Sequence, residues 1–70
     1  MPRKATAGLT PREYEIVGEL LQELTTPKIA EKLELSPHTV HSMVRSIRRK
    51  LGVRSQVGIV VWALRKGGFR

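Results

Sequence analysis

Apolar residues recur at helical spacing in four successive stretches of the chain, and the third stretch is the most complete. Its apolar members fall on one narrow stripe of a helical wheel: Val40, Val44, Ile47 and Leu51. Ser36 can cap the free amides of a first turn, and Pro37 suits the first helical position because its missing N–H would be unpaired there. Gly52 supplies a stop, since glycine accepts a left-handed cap conformation. The pattern predicts an amphipathic helix over residues 37–51.

The first helix begins with several coincident start signals. Thr10 and Glu13 have the spacing of a capping box, and Pro11 stands at the first helical position. Leu9 and Tyr14 have the spacing of a hydrophobic staple. Apolar residues then continue at helical spacing: Ile16, Val17, Leu20, Leu21 and Leu24. We interpret this stretch as a scaffold helix whose glutamates serve solvation and local pairing.

The second helix is short and lies close to the third. Thr25 offers a cap and Pro27 a first-turn proline. Its inner face repeats at helical spacing: Ile29, Ala30 and Leu33. Only three residues separate Leu33 from Pro37, so we expect the two helices to meet at a steep angle as a helix-turn-helix.

The fourth helix is predicted over residues 56–66, with Ser55 as its cap, and it is apolar on both sides. One stripe is expected to face the core: Val57, Val60, Val61 and Leu64. The other side is expected to be covered by the same helix of a second copy across a two-fold axis. The predicted dimer interface contains four residues: Ile59, Trp62, Ala63 and Lys66. Gly58 favours close approach of that copy; in the alternative, Trp62 closes the core of one chain or packs on Phe69.

Length and composition describe one small domain. The chain has 70 residues with 40% apolar content, near the size at which a single core is only marginally sufficient. Residues 1–8 are small, basic and aperiodic, so we expect a flexible arm before an all-α four-helix domain over residues 9–70. Cysteine is absent, which excludes disulfides and thiolate sites. No apolar run approaches the roughly 20 residues that span a bilayer, so we expect a soluble cytoplasmic protein.

The net charge of +7 is distributed unevenly. Residues 1–34 carry all six glutamates against five basic residues, a net charge of −1, whereas residues 35–70 carry eight basic residues and no acid, a net charge of +8. This segregation favours a polyanionic partner, either nucleic acid or an anionic membrane. A merely basic soluble surface is the alternative. The outer side of the third helix concentrates polar and basic groups: His38, His41, Ser42, Arg45 and Arg49.

Four segments, in their order and spacing, resemble the LuxR/GerE-type (NarL-type) helix-turn-helix DNA-binding domain: 9–17 (LTPREYEIV), 25–33 (TTPKIAEKL), 35–40 (LSPHTV) and 47–55 (IRRKLGVRS). The resemblance covers residues 8–69. It implies a four-helix bundle whose third helix enters the DNA major groove and whose fourth mediates dimerisation, in transcriptional regulators of bacteria. The length is similar to that of stand-alone GerE-type regulators, which have no attached sensor or receiver domain.

The chain departs from the family pattern at several positions. His41 and Met43 stand where the family usually has lysine and histidine. Glu23 stands where the first helix usually ends in glycine. Residues 26–28 are Thr-Pro-Lys in place of Asn-Lys-Glu, which exchanges a first-turn acid for a base. We expect these changes to leave the fold intact and to alter the target sequence.

The resemblance implies base contacts at three positions that the helical wheel also places outward: His41, Ser42 and Arg45. An arginine fork can bind guanine O6 and N7 together, which discriminates by roughly 1–3 kcal/mol. Other hydroxyl and basic residues are assigned to the phosphate backbone: Lys28, Ser36, His38, Thr39, Arg48, Arg49 and Arg54. Lys50 is assigned to the same phosphate field. The expected partners are double-stranded DNA, bound as a homodimer on a pseudo-palindromic site, and RNA polymerase; no metal, cofactor, membrane or small-molecule ligand is expected.

Two other functions remain open from the sequence. A σ-factor region-4-like promoter reader also opens with Leu-Thr-x-Arg-Glu and would bind as a monomer together with RNA polymerase. A protein-interaction module, such as an antirepressor or adaptor, would keep the fold and bind a protein partner. An enzyme is not expected, because the sequence has no aspartate, no cysteine, no glycine-rich phosphate loop and no nucleophile paired with a base.

Overall fold

The computed structural model describes residues 8–66, apart from the side chain of Lys66, and within this range the chain forms four helices and no strand. The helices are α1 (Pro11–Leu21), α2 (Thr26–Leu33), α3 (Pro37–Leu51) and α4 (Gln56–Lys66). The all-α prediction is confirmed, and the bounds predicted for α3 and α4 agree with the structure. The arm predicted for residues 1–8, apart from Gly8, and the packing partner Phe69 lie outside the described residues. Of the helices described, none is long and apolar enough to cross a membrane.

Every helix begins at a hydroxyl side chain that accepts a hydrogen bond from an amide of the first turn. At α1, Thr10 Oγ1 accepts from the Glu13 amide at 3.1 Å, and the Thr10 amide donates to Glu13 Oε1 at 2.9 Å. This exchange is the predicted capping box. Hydroxyl caps also begin the other helices: Thr25 at α2, Ser36 at α3 and Ser55 at α4. The predicted helix starts are therefore confirmed.

The helices end in two different ways. Gly52 ends α3 with φ 70°, as predicted, and the Val53 amide returns to the Arg48 carbonyl oxygen at 3.0 Å in a Schellman-type stop. The turns after α1 and α2 instead use glutamates with positive φ, Glu23 at 62° and Glu34 at 60°. A left-handed conformation costs a residue with a β-carbon roughly 1–2 kcal/mol. These two turns are therefore strained.

Glu23→Gly is expected to stabilise the domain by about 0.5–1 kcal/mol, because glycine adopts the left-handed conformation freely. Among the described residues, the Glu23 side chain makes no ion pair or hydrogen bond that the change would remove. Urea denaturation followed by circular dichroism measures the change. Gln22→Gly is the matched control, since Gln22 has φ −92° in the same turn and its replacement is expected to destabilise. Equal stability of the two variants would contradict the strain argument.

The core lies between the four helices and consists of aliphatic side chains. The predicted stripe of α3 supplies three fully or nearly buried residues: Val40, Val44 and Ile47. The scaffold helices and the segment before them supply six more: Leu9, Ile16, Val17, Leu20, Ile29 and Ala30. α2 and α3 pack on each other across the short turn that joins them, as expected for a helix-turn-helix. α3 is therefore anchored along its whole apolar back.

The prediction of which face of α4 points inward is wrong. Ile59 and Ala63, predicted to lie in a dimer interface, are 0% exposed in the core of the single chain. Trp62, predicted beside them, is partly buried and packs against that core, as does Val60. The exposed stripe is formed by residues predicted to face inward: Val57 (70%), Val61 (43%) and Leu64 (66%). The side chain of Lys66, the fourth predicted interface residue, lies outside the described part of the chain.

The rotation of α4 is explained by the contact between Gly58 and the loop after α3. A β-carbon on Gly58 would lie 2.7 Å from Val53 Cβ, which is closer than carbon atoms pack. Glycine therefore lets α4 rest directly on this loop, and in that orientation Ile59 and Ala63 turn into the core. The close approach predicted for Gly58 thus occurs within one chain rather than between two copies.

Candidate nucleic-acid interface

The outer side of α3 is an exposed surface because its opposite side is buried in the core. We call the following five exposed residues the reading face: His38, His41, Ser42, Arg45 and Arg49. On a helical wheel His38, Arg45 and Arg49 lie near its centre. Ser42 lies on one flank, and His41, one turn before Arg45, lies on the other. The structure therefore brings the three predicted base-contacting residues together on one side of the helix. Their contacts with a ligand remain predictions.

The start of α3 presents two exposed hydroxyl groups at the edge of the reading face. Ser36 Oγ and Thr39 Oγ1 share a hydrogen bond of 2.8 Å, and Ser36 Oγ also accepts from the Thr39 amide at 3.0 Å. These bonds fix the first turn of α3 and hold both hydroxyls in place. The two residues were predicted to contact phosphate, and the structure gives them a capping role as well.

Lys28 stands exposed in the first turn of α2, where its amide is capped by Thr25. The partial positive charge at a helix N-terminus favours acidic side chains over basic ones. A lysine at this position therefore gains nothing from the electrostatics of its own helix. This unfavourable position of a basic side chain agrees with the prediction that Lys28 binds an external anion.

The C-terminal end of α3 is tied to the loop that follows it. Arg48 Nη1 donates to the carbonyl oxygen of Arg54 at 3.1 Å, and Arg48 is partly buried. Part of the Arg48 guanidinium thus supports the fold, a role that the sequence reading missed. The side chains of Arg49 and Arg54 are exposed. The predicted backbone contacts of all three arginines stay predictions.

The structure corrects the role predicted for Glu13 and gives Lys50 a partner within the chain. Lys50 Nζ lies 2.7 Å from Glu13 Oε1 and 3.4 Å from the Gly8 carbonyl oxygen. Glu13 is only 5% exposed, so it serves neither solvation nor merely local pairing. Lys50, predicted to belong to the phosphate field, is engaged with α1 in the structure. The one sequence signal for Glu13 was its capping-box spacing from Thr10; nothing local signals a partner 37 positions away.

Glu13 stays ionised despite its burial. Burial by itself raises the pKa of this carboxyl group, but the hydrogen bond from Lys50 outweighs it together with those from the Thr10 amide and Ser46 and the charge of Lys50. The net effect is a pKa below the ordinary value of 4.5. Near neutral pH the pair is thus a true ion pair that joins α1 to the last turn of α3.

The other two ion pairs among the described residues involve α1 and α2. Lys32 Nζ contacts Glu19 Oε1 at 2.9 Å and joins α2 to α1. Arg12 Nη1 contacts Glu15 Oε1 at 3.3 Å within α1. Because α3 carries no acid, the described part of the chain has a basic side at α3 and a mixed side at α1 and α2.

The helix-turn-helix of α2 and α3, in which α3 has an exposed basic side, agrees with the family that matches this sequence. The family described as bacterial regulatory proteins, luxR family, matches residues 7–63. The chain belongs to this family. The resemblance found in the sequence is thereby confirmed. The luxR family consists of regulatory proteins and not of enzymes.

Several luxR-type relatives are similar to the chain over most of its length. It is 41% identical over 59 residues to the spore germination protein GerE of Bacillus subtilis. The aligned segment covers 84% of this chain and 80% of GerE. It is 40% identical over 60 residues to the nitrate/nitrite response regulator protein NarP of Escherichia coli, 86% of this chain and 28% of NarP. It is 39% identical over 59 residues to the transcriptional regulatory protein LnrK of Bacillus subtilis, 84% of this chain and 27% of LnrK. The chain thus spans a minor part of NarP and LnrK. No solved structure matches it significantly.

Proposed function

We propose that this domain binds double-stranded DNA in a sequence-specific manner, as part of a bacterial transcriptional regulator, with α3 in the major groove. The observation that carries the proposal is the reading face, which is polar and basic, is exposed along α3 and has no acid within that helix. An α-helix fits the major groove of B-DNA, and basic side chains are attracted to its phosphates. Membership of the luxR family and the name of LnrK as a transcriptional regulatory protein support it.

Base recognition is proposed for His41, Ser42 and Arg45. Arg45 is the strongest of the three, because a guanidinium fork binds guanine O6 and N7 with two parallel hydrogen bonds. Ser42 is short, so it lets the helix approach the base edges and donates or accepts at close range. His41 stands where the family usually has lysine, so the base it reads is expected to differ from that of typical relatives.

The phosphate backbone is proposed to be held by seven residues in and around the reading face: Lys28, Ser36, His38, Thr39, Arg48, Arg49 and Arg54. Arg48 retains guanidinium N–H groups beyond the one bonded to Arg54. Each phosphate that the protein neutralises releases counterions, so log affinity falls with log salt by a slope of about 0.9 per contact. These contacts set the position of α3 on the duplex and carry no sequence information by themselves.

Dimerisation is proposed through the exposed stripe of α4, which consists of Val57, Val61 and Leu64. A groove of about 460 Å³ lies beside this stripe and is lined largely by apolar groups of α4 and the preceding loop, with Trp62 and Arg65 on its walls. A helix with an exposed aliphatic stripe is suited to the same stripe of a second copy across a two-fold axis. Two copies would then present two α3 helices to a pseudo-palindromic site with half-sites about one helical turn apart.

The mixed-charge side of α1 and α2 would face away from the DNA in this arrangement. Four glutamates of this side are exposed and could meet a protein partner: Glu15, which is paired with Arg12, and Glu23, Glu31 and Glu34. We place RNA polymerase in this role and the complex in the bacterial cytoplasm. The name of LnrK as a transcriptional regulatory protein supports a role in transcription, which RNA polymerase carries out.

Arg45→Ala is expected to remove preference at one base pair of each half-site, a discrimination of about 1–3 kcal/mol. The measurement is a random-sequence DNA selection with the wild type and the variant at two salt concentrations. Arg49→Ala is the matched control, because it removes the same charge from the same face. It is expected to weaken all sequences about equally and to lower the salt slope by about 0.9 per protomer.

Two results would contradict the proposal. The first is failure of the wild type to enrich any DNA sequence. The second is binding that does not respond to salt. If Arg45→Ala weakened every sequence equally, Arg45 would be a phosphate contact, and base reading would have to come from His41 and Ser42.

A further inference from the structure

The ion pair between Glu13 and Lys50 joins the first turn of α1 to the last turn of α3. Lys50 Nζ lies 2.7 Å from Glu13 Oε1, and the same oxygen accepts from the Thr10 amide at 2.9 Å. The Glu13 side chain is 7% exposed and that of Lys50 is 34% exposed. One oxygen of the carboxylate is thus held from two sides, by the start of its own helix and by α3.

This contact differs in kind from the others that hold α3. The aliphatic stripe of α3 is anchored by hydrophobic burial, which has no preferred direction. A short, charged hydrogen bond is directional, so it resists rotation of α3 about its own axis. Lys50 lies on the flank of α3 opposite His41, where such a restraint acts against rolling of the reading face.

Small rotations of α3 matter for recognition. With its side chains an α-helix has a radius of about 5–6 Å, so a rotation of about 10° moves their tips by about 1 Å. Functional groups must be held to within about 0.5 Å of their productive geometry. A restraint on rotation therefore acts directly on whether Arg45 and Ser42 reach base edges.

We propose that Glu13 is a positioning residue for DNA recognition, which sets the rotation of α3 through Lys50, and that Lys50 serves this contact rather than a phosphate. The inference rests on the proposed function. It also predicts an effect opposite in sign to simple electrostatics. Removal of an acid from a DNA-binding domain by itself tightens binding to a polyanion, whereas removal of Glu13 is expected to weaken binding to the specific site.

The test measures the ratio of affinities for the selected DNA site and for unrelated DNA. Glu13→Gln and Lys50→Gln are each expected to lower this ratio about tenfold, as loss of one base-pair contact does. The double variant is expected to lower it no further, because both single changes break the same contact. Lys50→Arg keeps a charged donor and is expected to retain the ratio.

The second ion pair between helices provides matched controls. Glu19→Gln and Lys32→Gln break a contact of 2.9 Å between α1 and α2 that does not involve α3. They are expected to leave the affinity ratio within about twofold of the wild type, although their stability falls. Equal losses of ratio in both sets would overturn the proposal, since the effect would then follow stability alone. Tighter binding of all DNA by Glu13→Gln with an unchanged ratio would also overturn it.

Amide hydrogen exchange of the free domain is a second measurement, which does not depend on DNA. Glu13→Gln is expected to speed exchange in the last turn of α3 relative to α2 in the same sample, and Glu19→Gln is not. If the wild type selects no DNA sequence, the proposed function is wrong. The hydrogen-exchange measurement still decides whether Glu13 restrains α3. If exchange in that turn rises no more than in α2, the positioning role itself is wrong.

Discussion

Ile59→Ala is expected to lower the free energy of unfolding by about 2–5 kcal/mol. Ile59 is 0% exposed, so the change removes buried methyl and methylene groups and leaves a cavity between α4 and the rest of the core. A domain of 70 residues has a total stability of about 4–10 kcal/mol. The variant is therefore expected to lose much of its stability, measured by urea denaturation of the wild type and the variant.

Val57→Ala is the matched control for this change. Val57 lies two positions earlier on the same helix but is 70% exposed, so its truncation is expected to change stability by no more than about 0.5 kcal/mol. The sequence pattern alone predicted the reverse order, with Val57 inside and Ile59 outside. A larger loss for Val57→Ala than for Ile59→Ala would restore that earlier orientation of α4.

Helix bounds and caps were predictable because they depend on signals a few residues apart. The hydroxyl of Ser36 and the glycine at position 52 lie at the two ends of α3, and each acts on the adjacent turn only. The capping box of Thr10 and Glu13 is equally local. The exposed reading face was predictable from the same kind of pattern, since α3 is apolar on one side only.

The orientation of α4 was not predictable from periodicity, because the helix is apolar around most of its circumference. Two apolar stripes compete for the core, and the one that contains Val57, Val61 and Leu64 lies outside. The deciding contact is between Gly58 and Val53, which packing and not spacing determines. A glycine near the start of an apolar helix was the available signal, and it was assigned to the wrong partner.

In the candidate site, too, some features were predictable from local sequence and others depend on tertiary packing. The exposure of His41, Ser42 and Arg45 follows from local pattern, whereas the commitment of Lys50 to Glu13 depends on how two distant segments pack. From the sequence, Arg48, Arg49 and Lys50 were assigned together to the phosphate backbone. The structure separates Arg49 from Arg48 and Lys50, because the side chains of the latter two bond to other parts of the fold.

The two faces of α4 carry different requirements. Its inner face, with Ile59 and Ala63, is needed by each single chain, so substitutions there report on folding before they report on assembly. Its outer stripe adds little to the stability of one chain, because Val57 and Leu64 are mostly exposed. A change on the outer stripe can therefore separate assembly from folding, which the predicted interface residues could not do.

Leu64→Glu is expected to leave the fold intact and to prevent dimerisation. Leu64 is 66% exposed, so a glutamate there remains hydrated in the single chain, whereas a two-fold contact would bring two such acids together in an apolar interface. Binding to paired half-sites is then expected to weaken by about 100-fold or more, since the second copy no longer binds at high effective concentration. Analytical ultracentrifugation and titration with paired and single half-sites measure both effects.

Gln56→Glu is the control, because it adds the same charge to the same helix at an exposed position away from the stripe. It is expected to dimerise and to prefer paired half-sites like the wild type. A σ-factor region-4-like reader would behave differently: the wild type would already sediment as a monomer, and Leu64→Glu would bind DNA as Gln56→Glu does. That result would remove the dimer from the proposed function and leave the outer stripe of α4 for a protein partner.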